Sequence, residues 1–168
     1  LIDCAQRTMD DKRLAEQALL MRFLRPVIKT LVRQRFLSSN LFKNAANPSF
    51  IEKILKVAYP SGNNLDKSLV DMLIKPTKRR GAPEAFRGFI NLFDDYLAPE
   101  LMKDLDIPID LIWGENDPWE PLSEAEKWIL SMSNIRSLKV VKESGHCPHD
   151  EHPEVVNPLL RKIIQQAK

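Results

Sequence analysis

Cysteine is nearly absent from this 168-residue sequence: Cys4 and Cys147 are the only two, and they stand far apart. That sparseness excludes the dense disulfide framework of small secreted domains and fits a reducing compartment. Long apolar runs are missing as well. Nothing approaches the roughly 18–20 consecutive apolar residues that span a bilayer, and no charged-then-apolar leader opens the chain. The expectation is a soluble protein without stable membrane insertion. No internal repeat or low-complexity segment is visible. The first residue is Leu1 rather than Met, and Ile2-Asp3-Cys4-Ala5 reads as the end of a buried strand, so a truncated chain is expected.

What is present suffices for a packed domain, with 43% hydrophobic and 29% charged residues. The net charge of +2 hides an asymmetry: residues 1–100 hold 17 Lys/Arg against 11 Asp/Glu, residues 101–168 hold 8 against 12. Two differently solvated layers follow from this shift, and so modest a basic excess says little about nucleic acid or anionic membranes.

Apolar residues recur at helical spacing over 18–36 (Leu20, Phe23, Leu24, Val27, Ile28, Leu31, Val32), with Pro26 kinking the helix and Arg22, Arg25, Lys29, Arg33 and Arg35 opposite. A second helix is predicted from Asn47-Pro48 to the stop at Pro60-Ser61-Gly62. A shorter one covers 65–74 and ends at Pro76. Another starts at Pro83-Glu84 and aligns Phe86, Phe89, Ile90, Phe93 and Leu97. Residues 6–98 are thus expected to be essentially all helical. The pattern then changes: Ile107-Pro108-Ile109-Asp110-Leu111-Ile112-Trp113 is a buried strand ending at Gly114, 123–132 a helix, 135–141 a strand and 153–166 a closing helix. Strand, helix, strand, helix is the rhythm of a parallel α/β sheet.

Ligand sites in open α/β sheets lie beyond the carboxyl ends of the strands. Two loops qualify, Gly114-Glu115-Asn116-Asp117-Pro118-Trp119-Glu120-Pro121 and the run from Ser144-Gly145-His146-Cys147 to His152-Pro153. An acid that reaches a histidine ring fixes its tautomer and stabilises the imidazolium formed when the ring takes a nucleophile's proton. Asp117 and His146, following consecutive strands in acid-then-histidine order, meet this need. Each also has a plainer reading, Asp117 as a turn residue ahead of Pro118 and His146 as a structural histidine.

The strings G-x-x-D-P-W, from Gly114, and G-H-C-P-H-D-E-x-P-E, from Gly145, together with the helical insertion before the first full strand, resemble the last two sheet strands of an α/β-hydrolase. The branch they resemble is the pheophytinase and chlorophyll dephytylase-like hydrolases of plants and cyanobacteria, related to haloalkane dehalogenases and epoxide hydrolases. The resemblance implies an α/β fold: residues 1–5 and 99–168 forming the C-terminal part of the hydrolase core, and 6–98 a helical lid. It implies Asp117 as triad acid, His146 as general base, and Trp119, Phe86, Phe89 and Phe93 as substrate contacts for a small hydrophobic ester. It implies no cofactor, and a chloroplast or a cyanobacterial cytoplasm as location. Relatives carry their nucleophile on an elbow of the G-x-S-x-G type. Here the glycines are Gly62, Gly81, Gly88, Gly114 and Gly145, and no pair brackets a Ser, Asp or Cys at that spacing. The isolated chain is therefore expected to be inactive, the nucleophile lying upstream of Leu1, and an unpaired sheet edge is expected to favour self-association.

Rival readings remain open. His146, His149 and His152 recur every third residue among Cys147, Asp150 and Glu151, all residue types that ligate metals, although Pro148 and Pro153 oppose a helix that would align them. Lys78-Arg79-Arg80 in a basic helical segment could mark a nucleic-acid or membrane-surface module, or a solvated face. A dehalogenase-like or epoxide-hydrolase-like enzyme, or a non-catalytic interaction protein that lost its elbow, would also fit the sequence.

Overall fold

The computed structural model describes residues 1–4, 30, 34–92 and 97–166, except the side chains of 35, 36 and 89–92. Most of the expected 18–36 helix lies outside the described residues. The elements are α1 (Arg35–Ala45), α2 (Pro48–Ala58), α3 (Lys67–Thr77), α4 (Ala82–Leu92), α5 (Ala98–Met102), β1 (Ile109–Gly114), α6 (Leu122–Ser131), β2 (Ile135–Val141), the single turn α7 (Pro148–Glu151) and α8 (Pro153–Gln166). They fall into two compact units. One comprises Leu1–Gln6, Leu55–Leu65 and Tyr96–Lys168, the other Arg7–Ile54 and Asp66–Asp95. Leu55–Leu65, part of the expected all-helical segment, thus groups with the strands.

In the strand-bearing unit β1 and β2 pair in parallel, from Ile109 opposite Ile135 to Gly114 opposite Val141, with an irregularity between Ile109 and Asp110. Ile2 adds a parallel bridge to Ile112 on the other side of β1, where Ile112 N–H donates to Leu1 O at 2.9 Å and Asp3 N–H to Ile112 O at 3.2 Å. Of the strand end expected at the start of the chain, only Ile2 among the described residues takes part in a bridge, and Leu1 is exposed. Because strand side chains alternate between faces, β1 feeds two cores. Ile109, Leu111 and Trp113 join Met102, Ala125, Trp128 and Ile135. Ile112 packs instead with Val141 and Val156, beneath Leu159, Leu160 and Ile163 of α8. Burial of both faces explains why β1 reads as a nearly continuous apolar run rather than an alternating one. Each large side chain removed from water this way contributes about 1.5–3 kcal/mol. Trp113, fully buried, also donates its indole N–H to Glu120 O at 2.8 Å and meets Trp128 edge-on at 5.7 Å. On the α8 face Asp110 accepts hydrogen bonds from Ser137 Oγ at 2.7 Å and from the Arg136 guanidinium, which holds its carboxyl below the usual carboxylate range.

The helical unit is built around α1 and α4, whose Phe42 and Phe86 rings lie 5.5 Å apart, with α3 packed on α4. Asp66 caps α3 by accepting from Leu69 N–H at 2.9 Å. Pro76, expected to end this helix, sits inside its last turn. Thr77 still belongs to α3, although Pro76 has no N–H to donate to the preceding turn and its ring crowds the carbonyl four residues back.

Candidate active site

The site lies where β1 and β2 end, and two glycines let their loops meet. A Cβ on Gly114 would stand 1.9 Å from Gly145 O, and one on Gly145 would stand 2.3 Å from Ala58 O. No side chain fits either place. Asn116 N–H donates to Ser144 O at 2.8 Å, and His146 N–H donates to Ala58 O at 2.9 Å, so the two loops and the end of α2 form one hydrogen-bonded frame.

Within it, both oxygens of the Asp117 carboxylate are engaged. Its Oδ1 accepts from Trp119 N–H at 2.8 Å and Glu120 N–H at 3.0 Å, as an aspartate opening a turn does. Its Oδ2 lies 2.8 Å from His146 Nδ1. The turn reading and the acid–histidine reading therefore hold for the same side chain, one oxygen each. A carboxylate can only accept, so Nδ1 carries the hydrogen and the neutral ring keeps its Nε2 lone pair for a proton. The Asp117 side chain is wholly buried, while that of His146 is 31% exposed. Burial strengthens the bond that orients the ring and leaves the ring's outer edge accessible. Trp119 stacks edge-on against the imidazole at 4.9 Å between centroids, which restricts its rotation.

A second carboxyl group braces the histidine loop. Glu151, 2% exposed, accepts through Oε1 from Gly145 N–H at 2.6 Å and Ser144 Oγ–H at 3.1 Å. Through Oε2 it accepts from Ser61 Oγ–H at 2.5 Å and Ser61 N–H at 3.3 Å. Tyr59 adds a hydrogen bond from its hydroxyl to Asp150 Oδ2 at 2.8 Å, and burial pushes its phenol well above the usual range. Burial also raises the thiols of Cys147 and Cys4, the latter to about 11. Burial thus works against a resting thiolate at Cys147 despite its place beside His146.

Of the residues singled out in the sequence, Asp117, His146 and Trp119 are brought together. Phe86 belongs to the helical unit, half-buried against Phe42. The Phe89 side chain and Phe93 lie outside the described residues. The three histidines of the metal reading do not converge: His149 is exposed, His152 Nδ1 contacts Glu154 at 3.1 Å, and no group of three ligating side chains occurs among the described residues. Sequence reasoning missed the bracing by Glu151, Ser61 and Tyr59, and the carboxyl of Asp3, which accepts from Gly114 N–H at 2.9 Å. No local pattern marks the pairings of Ser61 with Glu151, Tyr59 with Asp150 and Asp3 with Gly114, which join residues some 90 to 110 positions apart in the chain.

No family model matches the sequence. It is similar to the chloroplastic pheophytinase of Arabidopsis thaliana, 29% identical over 133 residues that cover 76% of this chain and 27% of that protein. It is also similar to the uncharacterized hydrolase YugF of Bacillus subtilis, 26% identical over 101 residues, 60% of this chain and 37% of the relative. Among solved structures, MGS-M2, an α/β hydrolase enzyme from a Medee basin deep-sea metagenome library, superposes with a TM-score of 0.61 at 16% identity over 85% of this chain and 52% of that one. The chain thus spans about a quarter to a third of the curated relatives it matches.

Proposed function

Starting from a chain that has the C-terminal portion of the α/β-hydrolase fold, we propose that it supplies the acid and the base of a serine-type hydrolase acting on a hydrophobic carboxylic ester. The observation that carries this reading is the 2.8 Å contact between His146 Nδ1 and Asp117 Oδ2 beyond the ends of two adjacent parallel strands. In the proposed reaction His146 Nε2 takes the proton of the nucleophile's hydroxyl as that oxygen attacks the ester carbonyl. Asp117 stabilises the imidazolium, which then protonates the departing alcohol. Water deprotonated by the same ring releases the acid. The nucleophile and its oxyanion donors come from residues outside these 168. The likeness to a chloroplastic pheophytinase supports a bulky pigment ester as substrate and a plastid as location. Trp119, edge-on to the His146 ring, is the proposed substrate contact.

Ester hydrolysis assays test this. The chain alone is expected to show no turnover above its His146→Ala variant, because an acid–base pair without a nucleophile forms no acyl-enzyme. The longer protein is expected to hydrolyse hydrophobic esters. Turnover by the chain alone that vanishes on His146→Ala would show that it holds a nucleophile of its own. We further propose that the chain self-associates through the outer edge of β2, which is paired on one side only among the described residues. Light scattering is expected to show species above the monomer mass, and a clean monomer at high concentration contradicts it.

A further inference from the structure

The Asp117–His146 pair has a buried neighbour that the proposed reaction leaves unused. Asp3 follows the Ile2 bridge, is 6% exposed, and takes up a left-handed backbone at φ 35°, a conformation uncommon outside glycine. That bend turns its carboxyl inward. Oδ1 accepts from Gly114 N–H, while Oδ2 is buried and meets no donor. The groups facing it are of the wrong kind to help an anion. They are the Asp117 carboxylate, in hydrogen-bonding contact, the Glu151 carboxyl, and the thiols of Cys4 and Cys147, with no cation among them in the described residues apart from any charge on the His146 ring. Two acceptor-only carboxylates in contact repel each other. One proton between them turns the same contact into a hydrogen bond and satisfies the orphaned oxygen.

We propose that Asp3 is a protonated positioning residue, its Oδ2 hydroxyl donating to the Asp117 carboxylate while its Oδ1 holds the end of β1 through Gly114. Asp3 thereby helps to fix the carboxylate that orients His146, and the Asp3–Asp117 pair keeps a single negative charge. Burial first, then the charge of Asp117, pushes its carboxyl up to about 8. The folded chain therefore holds a proton that the unfolded chain releases near pH 4. Stability falls as pH rises between about 4 and about 8, with a slope of one proton, and levels off above.

The proposal rests on the catalytic reading of Asp117 and His146 only for its role, since the protonation is measurable without any activity. In the 168-residue chain labelled with ¹³C at aspartate Cγ, the Asp3 signal is expected to titrate near pH 8. Asp3→Asn reproduces both hydrogen bonds with an amide. It is expected to stay folded at pH 7 and to lose the one-proton slope in unfolding experiments between pH 4 and 8, whereas Asp3→Ala is expected to be destabilised throughout. An Asp3 signal titrating near pH 4, or Asp3→Asn as damaging as Asp3→Ala, overturns the proposal. A titration near pH 8 in a protein whose hydrolysis proves indifferent to His146 would uphold the protonation and reject the function.

Discussion

In the proposed hydrolase, replacing His146 with alanine is expected to lower kcat by roughly four to six orders of magnitude with little change in KM. The size follows from the geometry. Asp117 has one oxygen committed to the Trp119 and Glu120 amides and the other to His146, so no other described side chain stands ready to take the nucleophile's proton. The substrate's hydrophobic portion would bind elsewhere, which is why the loss falls on kcat. Steady-state kinetics on the purified variant reads this directly. A loss under tenfold would remove His146 from the chemistry. Asp117→Asn, which keeps the shape but presents an amide to the ring, is expected to cost about 10⁴ through the wrong tautomer.

The second large effect is on stability. Glu151→Ala is expected to reduce the free energy of unfolding by about 3–5 kcal/mol, because it leaves the Gly145 and Ser61 amides without acceptors in a buried place and opens a cavity beneath the histidine loop. Urea denaturation at neutral pH measures this as a lowered midpoint at unchanged slope. A shift corresponding to less than about 1 kcal/mol would mean that solvent or a neighbouring group replaces the carboxyl, and that the loop is not held as described.

Much of the strand-bearing unit was legible because its signals are local. Ile109 to Trp113 is apolar and branched, Gly114 stops it, and Pro153 opens α8. The strand begins two residues later than its sequence suggests. Ile107 is 60% exposed and Pro108 has no amide to donate, so pairing starts only at Ile109, whose N–H reaches Asn134 O at 2.8 Å. The turn α7 was not foreseen, since four residues carry no periodicity. The acid–histidine pair was readable from residue type and order. Its supports were not: Asp150 and Glu151 looked like metal ligands because burial and partner identity, which separate a brace from a ligand, depend on Tyr59 and Ser61 arriving from the far end of α2. Asp3 was read only as the end of a strand. Its chemistry comes from the company it keeps after folding.

The orientation of one imidazole underlies the functional reading, and ¹⁵N NMR of the His146 ring at a pH where it is neutral tests it most directly. The structure requires the hydrogen on Nδ1, bonded to Asp117, with Nε2 bare and ready to accept, and this signature should be lost in Asp117→Asn. A neutral ring carrying its hydrogen on Nε2, or freely exchanging between the two nitrogens, would contradict it.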